Sequence, residues 1–152
     1  MDLVKLCQGV INDLQGVAED NGAKISLQYE DTHHCLGHEV AFSLALRNLL
    51  VNSIRHNDHP VNIEVLLNHR GNWNLLTVKD NGRGIPKRLH DKVFECFYSG
   101  NKDGRPDGGA GVGLYLVRRN VKNMGGKIKI DSSQDTGCTF YVMLPAHQGE
   151  SG

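Results

Sequence analysis

Apolar residues recur at helical spacing over the first twenty positions, at Leu3, Leu6, Cys7, Val10, Ile11, Leu14 and Val17, which predicts one amphipathic helix. Asn21-Gly22 follows as a left-handed cap. Ile25, Leu27 and Tyr29 then alternate with polar residues as in a strand. A polar loop carrying His33 and His34 comes next, and from residue 39 to about residue 57 the pattern is again helical and strongly apolar. Residues 61–67 and 73–80 predict a hairpin turning at Arg70-Gly71-Asn72. Glycine and proline break residues 81–86, and residues 87–97 read as a short helix or helical turn. Six glycines and one proline between 100 and 113 exclude regular structure there. A last helix runs from about Gly113 to Met124, capped by Gly125-Gly126, before strands at 128–132 and 138–144 around Asp135-Thr136-Gly137. Helices and antiparallel strands mixed in this way predict a sheet with helices on one face.

Composition narrows the function classes. At 152 residues, with 39% hydrophobic and 22% charged, the chain is one ordinary globular domain with a real core. Residues 1–146 are expected to form that domain and 147–152 a disordered tail. Seventeen basic residues balance seventeen acidic ones, which argues against nucleic-acid partners and against a polybasic membrane patch. No apolar run approaches about 18 residues and no signal-peptide pattern opens the chain. Cys7, Cys35, Cys96 and Cys138 are scattered without a CxxC pair, so they read as reduced thiols of a cytosolic protein. His33, His34 and His38 lie close together but lack helical pairing or a nearby cysteine; they read as loop and surface histidines rather than metal ligands.

Chemistry concentrates in three places. Asn48, Asn52 and His56 are four residues apart with Arg55 beside them, and four residues turn a helix by about 400°, so they share one stripe. Leu46, Leu49, Leu50 and Ile54 take the neighbouring faces and are expected to pack on the sheet. Asparagine is a poor interior helix residue because its amide competes for backbone hydrogen bonds. A solvated polar face is the plain explanation; a site for a hard cation such as Mg²⁺, which accepts amide oxygens, is the functional one. No Asp or Glu lies between Val40 and Asn57, so this helix offers no base to activate water.

Second, alternation puts Asp80 on the same face as Leu76 and Val78, toward the core. A buried carboxylate needs donors. The turn Asp80-Asn81-Gly82-Arg83-Gly84-Ile85-Pro86 would let a ligand approach the backbone closely, and the exocyclic amine of adenine is a natural partner for Asp80. A simple Asn81-Gly82 hairpin is the plain explanation here, but Gly84 and Pro86 spoil the strand that should follow. Third, Gly108-Gly109-Ala110-Gly111-Val112-Gly113-Leu114 leads straight into a helix, where free N–H groups and the helix dipole attract anions. It is neither a Walker loop nor a dinucleotide fingerprint. Their order along the chain describes one nucleotide pocket.

These residues resemble the ATPase domains of histidine kinases. Asn48-Leu-Leu-Val-Asn52-Ser-Ile-Arg55-His56 resembles their asparagine box, and Asp80-Asn-Gly82-Arg-Gly84-Ile85 their first glycine box. Phe94-Glu-Cys-Phe97-Tyr98 resembles the phenylalanine box, and Gly109-Ala-Gly111-Val112-Gly113-Leu114 the second glycine box. Cys138-Thr139-Phe140 resembles the closing strand whose threonine lies near adenine. The likeness covers residues 2 to 145 in the family's order and spacing.

The resemblance implies a Bergerat-type α/β (α+β) two-layer sandwich: a mixed, largely antiparallel sheet of about five strands, about three helices on one face, and a flexible ATP lid. It implies that Asn52 coordinates Mg²⁺, with Asn48 beside it on metal or phosphates and Arg55 near the phosphates. His56 takes the aromatic place beside adenine, Asp80 accepts from the adenine amine, and Gly82, Gly84 and Ile85 shape the adenine pocket with Thr139. Gly109, Gly111, Val112, Gly113 and Leu114 meet the phosphates and hinge the lid, in which Lys102 and Arg105 are placed to reach the γ-phosphate. Phe94 and Phe97 complete the lining. ATP and Mg²⁺ are the implied cofactors. The implied partners are the dimerisation helices that carry the phosphoacceptor histidine and a response-regulator receiver domain.

Two departures stand out. His38 occupies a place often acidic in the family, and the phosphoacceptor signature is missing, because His38-Glu39 begins it but Val40-Ala41-Phe42 does not continue it. Met1 reads as an added start. The chain is therefore expected to be an excised, monomeric domain without its own acceptor, from a cytoplasmic portion of a kinase that is itself anchored in the inner membrane or free. Three rival functions share parts of this pattern. Hydrolytic ATPases of the gyrase, mismatch-repair and chaperone type carry a glutamate where this chain has Asn48. An anti-sigma-factor serine kinase would share the boxes, and a degenerate interaction domain would bind partners without nucleotide.

Overall fold

The computed structural model describes residues 1–31, 33–35, 37–55, 60–95, 113–132 and 137–146. Helix α1 (Leu3–Asp13) starts where the Asp2 carboxylate accepts from the Val4 and Lys5 N–H groups at 3.0 and 3.2 Å, satisfying donors that a first helical turn leaves unpaired. The expected single first helix is broken at Leu14, after which α2 (Gln15–Asp20) continues. Leu14 sits at φ −94°, ψ 0°, yet its N–H still reaches Val10 O at 3.1 Å and its carbonyl accepts from Ala18 N at 2.9 Å. The break is thus a one-residue distortion that keeps the Leu14 side chain fully buried. Gly22, at φ +69°, ends α2: its N–H reaches Glu19 O, and Ala23 N–H reaches Ala18 O, the paired bonds of a Schellman cap.

Strand β1 (Lys24–Tyr29) pairs in parallel with β2 (Asn62–Arg70), so the chain crosses over between them through α3 (Glu39–Arg55). β2 and β3 (Trp73–Asp80) form the expected hairpin, closed by Arg70 opposite Trp73 across Gly71-Asn72. The short helix or helical turn expected next takes the form of two 3₁₀ turns, Lys87–Leu89 and Lys92–Phe94. Helix α4 (Gly113–Asn123), β4 (Lys127–Ser132) and β5 (Cys138–Pro145) complete the order. The sheet has five strands in the order β1-β2-β3-β5-β4, antiparallel except for β1 with β2. The predicted tail, 147–152, lies outside the described residues.

The core lies between one sheet face and the helices. Ile63, Val65 and Leu67 of β2, Leu76 and Val78 of β3, and Phe140, Val142 and Leu144 of β5 are buried on that face. Phe42, Ala45, Leu46, Leu49, Leu50 and Ile54 of α3 meet them, with Val117 and Val121 of α4. Among the described residues, no helix is long and apolar enough to cross a membrane.

His33 departs from the sequence expectation: it is not a surface histidine but is 1% exposed. Its Nδ1 lies 3.1 Å from Asn74 Oδ1, and Asn74 Nδ2 donates to His34 O at 2.8 Å; the amide oxygen can only accept, so Nδ1 carries the proton. The His33 ring also stacks on His69 at 4.1 Å between centroids. Asn74 shares the inward face of β3 with Leu76 and Val78, and a polar group there needs a partner. The same loop receives the N-terminus: Leu3 N–H bonds His33 O, and the Met1 ammonium bonds Cys35 O, each at 2.8 Å. Among the described residues, no group of histidines, cysteines and carboxylates is arranged to hold a metal.

Cys7, Cys35 and Cys138 are buried. Burial, and after it the Asp2 carboxylate, pushes the Cys7 thiol from 9.0 up to about 12. Burial, followed by Asp80, does the same to Cys138.

Asn74→Ala strands the His33 ring N–H and the His34 carbonyl, so urea denaturation should show a loss of about 2 kcal/mol, against under ~0.5 kcal/mol for the exposed His34→Ala. For the thiols, the folded state holds the proton that the unfolded state releases above pH 9.0. Their contribution is therefore complete below pH 9 and declines as pH rises toward 12. Native protein at pH 8 should leave Cys7 and Cys138 unalkylated by iodoacetamide, and urea midpoints should drop between pH 8 and pH 10. Stoichiometric labelling of either cysteine in the native protein would show its burial to be wrong.

Candidate functional site

β3 lies at the centre of the sheet, so its last residue is flanked on both sides. Across the ladder, Ile63, Asp80, Cys138 and Ser132 stand in one row. Asp80 is 5% exposed, and its Oδ1 accepts from the Gly82 N–H at 2.9 Å. A carboxylate has further acceptor positions after that bond, which leaves it able to take a donor from a ligand. The turn that follows is fixed at several points. Asn81 Oδ1 accepts from Asn62 N–H at 2.8 Å, tying it to the start of β2. Gly82 and Gly84 are buried, and Gly84 has φ +72°, a conformation that disfavours any side chain.

Gly137 approaches the same place from the β4–β5 side. It has φ +84°, and a Cβ there would collide with the Asp80 carbonyl oxygen. The Ser132 hydroxyl donates to Gly137 O at 2.6 Å and accepts from Ile85 N–H at 2.7 Å. His90 Nε2 lies 2.9 Å from Ile85 O, where only a protonated nitrogen can bond a carbonyl. Burial, and after it the Asp80 carboxylate, raises the Cys138 pKa and keeps it a neutral thiol beside the carboxylate.

The asparagine stripe is present on α3. Asn48 and Asn52 are half-buried, while Arg55 is exposed at the helix end. The Asn48 amide carbon lies 4.0 Å from where a Cβ on Gly113 would stand, so Asn48 meets the first residue of α4. Gly113 and Leu114 are half-buried. Phe94 is buried edge-on to Phe140, with centroids 6.1 Å apart, under the Arg118 guanidinium at 5.7 Å. Two half-buried amides one turn apart on α3, with Asn48 beside the first residue of α4, are a donor set suited to Mg²⁺, a hard cation that keeps waters and phosphate oxygens as its other ligands. His56, Phe97, Lys102, Arg105, Gly109, Gly111 and Val112 lie outside the described residues.

Thr139 does not join the group. It stands opposite Lys79 and Asp131 on the other face of the sheet, while Cys138 stands opposite Asp80. Strand alternation leaves only one of two consecutive residues on the inner face, and Phe140 fixes the phase because it is fully buried. Cys138, Ser132 and His90 are the members that motif reading missed. For Ser132 the signal was available: it continues the alternation of Ile128 and Ile130, and all three stand opposite buried residues of β5.

Comparison with known proteins shows the family and the fold. A family described as histidine kinase-, DNA gyrase B-, and HSP90-like ATPase matches residues 37–148. The alginate biosynthesis sensor protein KinB of Pseudomonas aeruginosa is 38% identical over 98 residues, which are 64% of this chain and 16% of KinB. Sensor histidine kinase GraS of Staphylococcus epidermidis is 28% identical over 147 residues, 95% of this chain and 42% of GraS. The chain thus spans less than half the length of the curated relatives it matches. The mycobacterial sensor histidine kinase MprB superposes with a TM-score of 0.84 at 22% identity, over 97% of this chain and 96% of that one, a likeness of fold. The chain belongs to the histidine kinase-, DNA gyrase B- and HSP90-like ATPase family and, within it, with the catalytic domains of sensor histidine kinases.

Proposed function

We propose that the chain binds Mg²⁺-ATP and donates the γ-phosphate to a histidine on separate dimerisation helices, from which a response-regulator receiver domain takes it. The observation that carries this reading is the buried Asp80 at the end of the central strand, with an acceptor position to spare beside a turn of buried glycines. A ligand amine such as that of adenine satisfies it, and a charge-assisted bond out of water is strong. Asn52, with Asn48, would hold the metal, and Gly113 with the backbone N–H groups at the start of α4 would face the phosphates. Bound Mg²⁺ supplies charge neutralisation to the triphosphate.

Phosphoryl transfer depends on alignment and charge more than on covalent help from the protein. The chain's own part is to fix the base at Asp80, hold the phosphates at α4 and keep water unactivated. The last point favours transfer over hydrolysis: α3 carries no carboxylate after Glu39, and Asn48 stands where hydrolytic members of the family carry a glutamate. The proposed setting is the cytoplasmic part of a larger sensor kinase, with this domain touching neither membrane nor nucleic acid.

Calorimetric titration tests the reading with ADP and a non-hydrolysable ATP analogue, each with Mg²⁺ and with EDTA. Triphosphate affinity should depend on Mg²⁺ and fall in Asn52→Ala. Asp80→Asn should weaken both nucleotides at least about tenfold, from the loss of one charged acceptor. Added histidine-bearing helices from a relative should then take label from γ-labelled ATP. Wild-type protein that binds no nucleotide under any of these conditions would overturn the proposal.

A further inference from the structure

Ile85 ends the glycine turn, and both of its backbone groups are held by side chains from elsewhere. Its N–H donates to Ser132 Oγ at 2.7 Å, across 47 positions of sequence. Its carbonyl accepts from His90 Nε2 at 2.9 Å. Ser132 is buried and uses its own proton on Gly137 O at 2.6 Å, so its hydroxyl is engaged as donor and as acceptor. Gly137 in turn rests on the Asp80 backbone. Hydrogen bonds and one close contact therefore make a closed circuit: Asp80 to Gly82, along the turn to Ile85, to Ser132, to Gly137, and back to Asp80.

We infer that Ser132 and His90 are positioning residues for the nucleotide site, a two-sided clamp on Ile85 that holds the Asp80–Ile85 turn in its binding shape. This rests on the nucleotide reading above and extends it to residues that touch no ligand. The clamp is needed because the turn contains Gly82 and Gly84, which have the widest backbone freedom of any residue. Without outside bonds it would sample many shapes, and binding would have to select one of them at a corresponding loss of affinity. Strand pairing cannot do this work, since β3 ends at Asp80. Ser132 serves because its hydroxyl donates and accepts at once; alanine there would leave Ile85 N–H and Gly137 O unpaired in a buried place.

The test compares Ser132→Ala, Ser132→Thr and His90→Phe with wild type. Val4→Ala serves as a control that loosens α1 without touching the turn. Amide hydrogen exchange is read without ligand, and calorimetry with Mg²⁺ and ADP. Ser132→Ala should speed exchange at Gly82 and Ile85 and weaken ADP roughly tenfold, the size expected from one buried hydrogen-bond system. His90→Phe, which keeps a ring but no donor, should weaken ADP by roughly threefold, and Ser132→Thr should restore wild-type behaviour. Val4→Ala should lower the melting temperature and leave ADP affinity unchanged, which separates positioning from general stability. If Ser132→Ala and His90→Phe bind ADP like wild type, or if turn exchange is unaltered, the clamp is wrong. If turn exchange rises as expected but wild-type protein binds no ADP, the nucleotide reading fails instead, and with it any role of the clamp in binding.

Discussion

A carboxylate at the end of the central strand of a buried sheet face constrains everything near it. Asp80 is all but removed from water, and an ionised group there is tolerable only where donors meet it. The first donor is two residues on, at Gly82 N–H, which requires the chain to turn sharply back. That turn in turn requires glycine where the backbone has φ +72°, at Gly84, and a neighbour without a Cβ at Gly137. The adjacent Cys138 carries a thiol held neutral by burial and by the same carboxylate. A second ionised group at that position would oppose the first at short range in a medium of low dielectric constant.

Helix α3 connects this end of the sheet to the start of α4. Its apolar face, from Phe42 through Ile54, buries against the strands, and that burial is worth roughly 1.5–3 kcal/mol for each large side chain. This margin tolerates Asn48 and Asn52, whose helix propensity is poorer than that of alanine by well under about 1 kcal/mol each. The energetically minor positions are thus the ones free to carry chemistry. Asn48 uses that freedom against Gly113, at the helix start proposed to face phosphate.

The features legible in the sequence were those set by local periodicity. All five strands, α3, α4 and the inward placement of Asp80 follow from alternation or helical spacing. Gly22 and the Gly71-Asn72 turn were legible because special backbone angles restrict residue choice. What escaped depended on contacts distant in sequence. The burial of His33 is decided by Asn74, forty-one positions away, and the role of Ser132 by Ile85, forty-seven positions away. Thr139 is a different kind of miss. A motif that spans consecutive strand residues does not say which of them faces inward, and the phase set by Phe140 gives the place to Cys138.

The two ends of the proposed site are built by different means. The base end is tied by hydrogen bonds among β2, β3, the glycine turn and the β4–β5 pair, so its shape is set when the sheet forms and binding spends little on ordering it. At the other end, α3 supplies Asn48 and Asn52 as neutral amides, not carboxylates. Amides can ligate a metal, but they cannot take a proton from water at neutral pH. In the proposed function, a site that holds its nucleotide by the base, with no carboxylate on α3 after Glu39, would keep ATP intact until another nucleophile arrives. Under the proposed function the missing carboxylate on α3 matters as much as the residues present, because transfer would then wait on the arrival of an acceptor imidazole.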